Sequence, residues 1–208
     1  PGVDFVGGDA IAVGFIYKSA TAAVAEGTSI GILNDSVVAG LGDLDVSGNP
    51  IFDGVGASRN ALAVSFEDTA SGEVFTVAVN HFKSKSASGA TGGNVDQLDG
   101  AGAFNERRVD SAIALDAWLD SDPTGSGDDD FLIIGDLNSY AKEDPIQYLL
   151  GQGYVDLAAF YNENPYSFVF DGQIGTLDYG LANASLAAKS TGATEWHINA
   201  DEADAIDY

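Results

Sequence analysis

The stretch Phe131-Leu132-Ile133-Ile134-Gly135-Asp136-Leu137-Asn138-Ser139-Tyr140 decides how the chain is read. Four apolar residues, entered from the Gly/Asp-rich segment 125–130 and left through a glycine, predict a short strand buried on both faces. At its exit a carboxylate and an amide stand two residues apart. Residues i and i+2 of an extended chain point the same way, so Asp136 and Asn138 are expected to reach one point beyond the strand end. Gly135 would let a ligand approach the backbone there. The pair offers oxygen to a hard cation, and the asparagine adds a donor for a phosphoryl group. An Asp/Asn turn closing the strand is the structural alternative.

Working outward, residues 105–120 carry Val109, Ala112, Ile113, Leu115, Trp118 and Leu119 as an apolar helical stripe, with Asn105 the expected cap and Pro123 beyond the end. The segment 84–102 is Gly/Ser/Asn/Asp with almost no large apolar side chains, which predicts a long loop. Before it, residues 61–66 and 74–80 read as an antiparallel pair joined by the turn 68–72. Residues 9–17 and 28–33 predict earlier strands, and 35–56 a long surface excursion. Downstream, Asp144 as cap and Pro145 in the first turn open a short helix ending near Gly151, and residues 166–170, 177–181 and 186–188 predict further strands. Many strands with two good helices give an α+β class, a sandwich of sheets covered by helices, in one domain over 1–208.

Eight basic residues against 32 acidic ones leave a net charge of −24. Such a field repels nucleic acid and anionic membranes, so a polyanionic substrate would require local cations, bound metal or high salt. An acidic surface also keeps proteins soluble in salty media. The absence of cysteine excludes disulfides and Cys-zinc sites. The apolar runs are far shorter than a membrane span.

Two further groups are candidates for chemistry. His81 follows the strand 74–80 at the mouth of the long loop, where an imidazole positioned by a sheet can donate to a phosphate oxygen or exchange protons near neutral pH. Lys83 and Lys85, two of the eight basic residues, cluster beside it. Asp178 stands between Leu177 and Tyr179, so it is half-buried with a partner or lies on the sheet's open face. The structural readings are a satisfied strand-end histidine and a structural aspartate.

Together, residues 9–17, Asn80-His81-Phe82-Lys83-Ser84-Lys85, the segment 135–146, Tyr166-Ser167-Phe168-Val169-Phe170-Asp171-Gly172-Gln173, Gly175-Thr176-Leu177-Asp178-Tyr179 and the segment 196–202 resemble the endonuclease/exonuclease/phosphatase superfamily, which includes deoxyribonuclease I. The likeness is greatest to secreted bacterial nucleases of the extracellular ExeM type. It implies a four-layer α/β/β/α sandwich of two mainly antiparallel sheets. It also implies that His81 hydrogen-bonds the scissile phosphate, that Asp136 and Asn138 place the attacking water or a metal and hold a phosphate oxygen, and that Asp178 lines the same pocket. Arg59 matches a phosphate-contacting arginine, and Asp9 a residue supporting the histidine. The implied cofactor is a divalent metal, Mg²⁺ before Mn²⁺ or Ca²⁺, with Asp136 and Asn138 as its ligands. The family's N-terminal Asn and Glu and its closing Ser-Asp-His motif have no counterpart here, so the chain is expected to be the central and C-terminal part of a longer domain. His197 is not the family's base histidine and reads as a structural or rim residue.

The resulting expectation is a secreted, metal-dependent nuclease acting on extracellular DNA, with RNA as an alternative substrate. The alternatives are a phosphatase or phospholipid phosphodiesterase on the same fold, since no residue was identified that would stack bases, and a non-catalytic acidic module of an exported surface protein.

Overall fold

The computed structural model of the chain describes residues 11–48, 50–170, 172–197 and 200. In chain order the elements are β1 (Ala22–Val24), β2 (Gly31–Leu33), α1 (Asp35–Val38), β3 (Ala61–Asp68), β4 (Val74–His81), α2 (Asn105–Asp120) and β5 (Phe131–Asp136). They are followed by α3 (Asp144–Gly151), β6 (Val155–Asp156), α4 (Leu157–Tyr161), β7 (Phe168–Phe170), β8 (Gln173–Gly175), β9 (Asp178–Ala182) and α5 (Ala184–Lys189). Seven strands form one sheet in the order β1-β3-β4-β5-β9-β6, with β2 also paired to β3, and β7 and β8 form a separate two-stranded sheet. Among the described residues β4–β5 is the parallel pair and the others are antiparallel. A mixed α/β molecule with two sheets and several helices is the class expected from the sequence.

Strand alternation divides the core. Thr76, Ala78 and Asn80 of β4 and Ile133 of β5 point to one face and are buried. There they meet Ala112, Leu115, Trp118 and Leu119 of α2 and Ile146 and Leu149 of α3. Full burial of a Leu or Ile side chain contributes roughly 1.5–3 kcal/mol, so this face dominates the fold. On the opposite face Val64, Phe66 and Val77 form a smaller cluster with Phe15, Ala22, Ile30, Phe75, Leu132 and Ile134. β5 is therefore half-buried on that side rather than buried on both faces as its four apolar residues suggested.

Several local expectations change for identifiable reasons. Residues 11–17 pair with no strand; Phe15 and Tyr17 instead pack edge-on against Phe66, with ring centroids 5.5 and 5.1 Å away. The excursion 35–56 is pinned down, because the Asp35 carboxylate accepts from the backbone N–H groups of Ile51, Phe52 and Asp53 at 2.8, 2.9 and 3.1 Å. That draws Ile51 and Phe52 into the core. Residues 186–188 belong to α5, whose N-cap Asn183 accepts from the Leu186 N–H at 3.2 Å. Asn105 is the first residue of α2 rather than its cap. Phe104 occupies the cap with φ 62°, and the buried Asn94 side chain accepts from the Arg107 N–H at 3.0 Å in its stead. Glu143, not Asp144, is the N-cap of α3. Among the described residues no helix is long and apolar enough to cross a membrane.

Candidate active site

β4, β5 and β9 are adjacent, and their registers place His81 opposite Asp136 and Asp136 opposite Asp178. Alternation puts all three on the face of Val77, Val79, Leu132 and Ile134, in one row across three strands. His81 Nε2 lies 3.5 Å from Asp136 Oδ2. The row sits where the β4–β5 ladder ends, and beyond it the Phe82 N–H still donates to the Asp136 carbonyl at 2.9 Å. The Arg59 N–H donates to the His81 carbonyl at 2.9 Å, which seats Arg59 at the same strand end.

Asp136 and Asn138 do meet, though not by strand parity. Asn138 has φ 48°, in the left-handed region that asparagine tolerates. Its N–H donates to Asp136 Oδ1 at 2.8 Å and its side-chain NH₂ to Asp136 Oδ2 at 3.2 Å and the Phe82 carbonyl at 3.0 Å. Both side-chain partners are pure acceptors, so the amide must present nitrogen to them. The Asp/Asn turn and the converging pair are thus one structure. On the other flank the Leu137 N–H donates to the Leu177 carbonyl at 2.9 Å, and Ser167 Oγ accepts from the Leu177 and Asp178 N–H groups at 3.0 Å each.

The electrostatics follow from this crowding. Burial raises the Asp136 carboxyl to about 6, the Asn138 N–H opposes the shift, Asp178 adds to it, and the Arg59 and Arg108 charges lower it. A carboxyl poised there changes state close to neutrality, as a group handling the proton of a water must.

Among the described residues no group of three or more His, Asp or Glu side chains could hold a metal ion. A Mg²⁺-type ion keeps most of its waters and uses one or two protein carboxylates with substrate phosphate oxygens. Asp136 and Asp178, opposite in register and with Asp178 raising the Asp136 carboxyl, fit that smaller demand. Both side-chain N–H groups of Asn138 are taken up by Asp136 and the Phe82 carbonyl, so the amide oxygen is the atom it can offer to a cation beside Asp136. Asp9 lies outside the described residues.

Lys85 is committed elsewhere: its Nζ donates to the Ala101 carbonyl at 2.7 Å and pairs with Glu143. Lys83 lies with Nζ 4.7 Å from the Phe104 ring centroid. His197 stacks on Tyr166 at 3.7 Å between centroids, a rim contact. Two features escaped the sequence reading. Arg108 is fully buried beneath the site. β7 exposes Phe168 and Phe170 with rings 9° from parallel and centroids 6.2 Å apart, in the strand that follows Ser167. Phe168 and Phe170 stand at i and i+2, a spacing visible in the sequence that places both rings on one face.

No family model matches the chain, and no curated protein matches it. Solved structures do. An endonuclease/exonuclease/phosphatase family protein and a mannosyl-6-phosphatase, both from Bacteroides thetaiotaomicron, and an endonuclease/exonuclease/phosphatase from Bacteroides vulgatus each superpose with a TM-score of 0.53 at 16% identity. Each alignment covers 81% of this chain and 54%, 55% and 57% of the respective structure, so the chain spans little more than half their length. Identity that low carries the architecture and not the activity: the chain has the fold of the endonuclease/exonuclease/phosphatase structures.

Proposed function

We propose that the protein is a metal-dependent phosphodiester hydrolase, a secreted nuclease acting on extracellular DNA, with RNA as an alternative substrate. The observation that carries this reading is the row His81–Asp136–Asp178 across three adjacent strands, with Asn138 hung on Asp136 and Arg59 bonded to the same strand end. Hydrolysis requires a water in line with the leaving oxygen and donors for the charge that grows on phosphorus. His81 supplies an N–H donor to a non-bridging oxygen and Arg59 supplies fixed positive charge, while Asn138, its N–H groups spent on Asp136 and Phe82, fixes the Asp136 carboxylate. Asp136, in its ionised form, orients the water and accepts its proton as the P–O bond to the leaving alkoxide breaks. Asp136 and Asp178 would hold a divalent cation, which when bound neutralises phosphate charge as a Lewis acid.

The exposed Phe168 and Phe170 rings favour a nucleic acid, since bases stack on aromatic faces whatever their sequence. The net charge of −24 favours the second reading, a phosphomonoesterase or phospholipid phosphodiesterase, because it opposes the approach of a polyanion. Secretion is what the likeness to the extracellular nucleases implies, the cysteine-free composition being compatible with any compartment, and recovery of the protein from culture medium tests it. The full-length protein incubated with Mg²⁺ and plasmid DNA, RNA, a sugar phosphate or phospholipid vesicles separates the readings. Cleavage of nucleic acid, lost in His81→Ala, supports the nuclease. Turnover of the sugar phosphate or lipid alone supports the second reading, and no turnover of any substrate leaves a binding module.

A further inference from the structure

α2 carries one residue that an amphipathic helix does not account for. Arg108 is 0% exposed, and its guanidinium is spent on four acceptors from three chain segments. Nε donates to Ser139 Oγ at 3.1 Å, Nη1 to the carbonyls of Lys83 at 3.2 Å and Ala103 at 2.8 Å, and Nη2 to that of Ala101 at 2.8 Å. Its nearest carboxylate is Glu143, 4.0 Å from Nη2 and already bonded by Lys85. A buried cation carries a desolvation penalty that neutral acceptors offset only when the geometry is good. A planar fork of five N–H donors is the side chain that can span such a set.

The location of those acceptors gives the arrangement its meaning. Lys83 lies two residues beyond His81, and Ser139 directly follows Asn138. The β4–β5 register ends at His81–Asp136; past it the two segments are joined at Phe82 by its N–H to the Asp136 carbonyl and by the Asn138 NH₂ to its carbonyl, and one residue further on, at Lys83 and Ser139, the ladder no longer fixes them. Arg108 bridges them there. Ser139 is held from its other side as well, since its carbonyl accepts from Tyr179 Oη at 2.9 Å. We propose that Arg108 is a positioning residue of the site, holding the Asp136–Asn138 turn against the segment that leaves His81 so that the Asp136 carboxylate and the His81 donor converge. This rests on the phosphodiesterase reading above. A displacement of about 1 Å in such groups is enough to cost on the order of a hundredfold in rate.

The test uses the full-length protein with bis(4-nitrophenyl) phosphate and Mg²⁺. Arg108→Lys keeps the charge and loses the fork, and Ser139→Ala removes one acceptor while leaving the helix intact. Arg108→Lys should lower kcat at least tenfold with KM changed less than threefold, Ser139→Ala should lower kcat less, and exposed Lys142→Ala should match wild type. Hydrogen exchange of 137–140 should quicken in both site variants while β3 and β4 amides stay protected. In Arg108→Ala, added guanidinium should restore turnover and urea should not. Wild-type kcat in both Arg108→Lys and Ser139→Ala would overturn the proposal, as would protection lost equally across the whole sheet. A wild-type protein that hydrolyses no phosphoester would refute the functional reading, and the exchange pattern would still decide whether Arg108 orders the turn.

Discussion

Asp136 concentrates the chemistry in one carboxyl whose surroundings push it in known directions. It holds its proton to about 6 in the fold against an ordinary value near 3.8. Between those values the folded chain therefore binds more protons than the unfolded one, so stability falls as pH rises through that window and levels off above it. Thermal denaturation of the metal-free protein should show this slope between about pH 4 and 6, and Asp136→Asn should reduce it, leaving the share of Asp110, Asp116 and Asp156, whose carboxyls burial also raises. Asp178, directly opposite, contributes to the rise, so Asp178→Asn should move the Asp136 titration midpoint down, read from carboxyl NMR shifts. For turnover, Asp136→Asn or His81→Ala should each reduce kcat by about 10²–10³ with an unchanged far-UV spectrum, as expected for a lost base or a lost donor to the transition state. A loss under threefold in both would remove them from the site. At this scale the sequence was legible in residue types and blind to conformation. The converging pair was visible as Asp136 and Asn138, but extended parity was the wrong geometry, because the backbone turns left-handed at Asn138. Arg108 was invisible: a charged residue in a helix reads as solvated until the tertiary structure wraps it.

The elements show which signals travel from sequence to structure and which depend on context. β3, β4 and α2 were readable because their apolar periods run long enough to exclude the alternative. Residues 186–188 were not, because three apolar residues, Leu-Ala-Ala, fit either period and the deciding signal was the cap at Asn183. α2 begins against propensity, with a left-handed phenylalanine, because a side chain 13 residues upstream satisfies its first turn. Gly135 is a signal read for the wrong reason. Its φ of 117° excludes most side chains, and a Cβ there would lie 2.0 Å from the Asn80 carbonyl oxygen. The glycine is required by the close approach of β4, whatever ligand binds nearby. Gly135→Ala should destabilise the protein by at least about 2 kcal/mol, measured by urea unfolding, since both backbone strain and a clash with a strand must be relieved. β7 belongs to the opposite case, an exposed strand whose side chains the fold does not use. Phe168→Ala and Phe170→Ala should leave stability within about 0.5 kcal/mol and raise KM for single-stranded DNA severalfold, with no change for bis(4-nitrophenyl) phosphate. Equal effects on both substrates would argue that the rings serve the site's structure instead.

On the scale of the whole molecule, the phosphate site proposed above would sit in a chain with a charge of −24, and the two pull against each other. Of the eight cations, Arg107 and Arg108 are buried and Lys85 is paired with Glu143. Lys189 is likewise paired, with Glu73 and Asp130. The positive charge that faces a polyanion is therefore small, and the long-range field is repulsive. Screening at physiological ionic strength shortens that field to about 8 Å, while interactions inside a half-buried site are screened far less. Added salt should then act in the reverse of its usual sense for a DNA-binding protein, where released counterions make affinity fall as salt rises. For plasmid or oligonucleotide cleavage, kcat/KM should increase severalfold between 10 and 300 mM NaCl at fixed Mg²⁺, entirely through association. For a singly charged phosphodiester the same change should be under twofold, because a monoanion meets a much smaller barrier. Raising Mg²⁺ at low salt should reproduce part of the gain, since the ion both screens and occupies the Asp136–Asp178 face. If DNA cleavage instead falls with salt as for an ordinary basic nuclease, local cations such as Arg59 at the strand end must guide the substrate, and the net charge would not govern encounter.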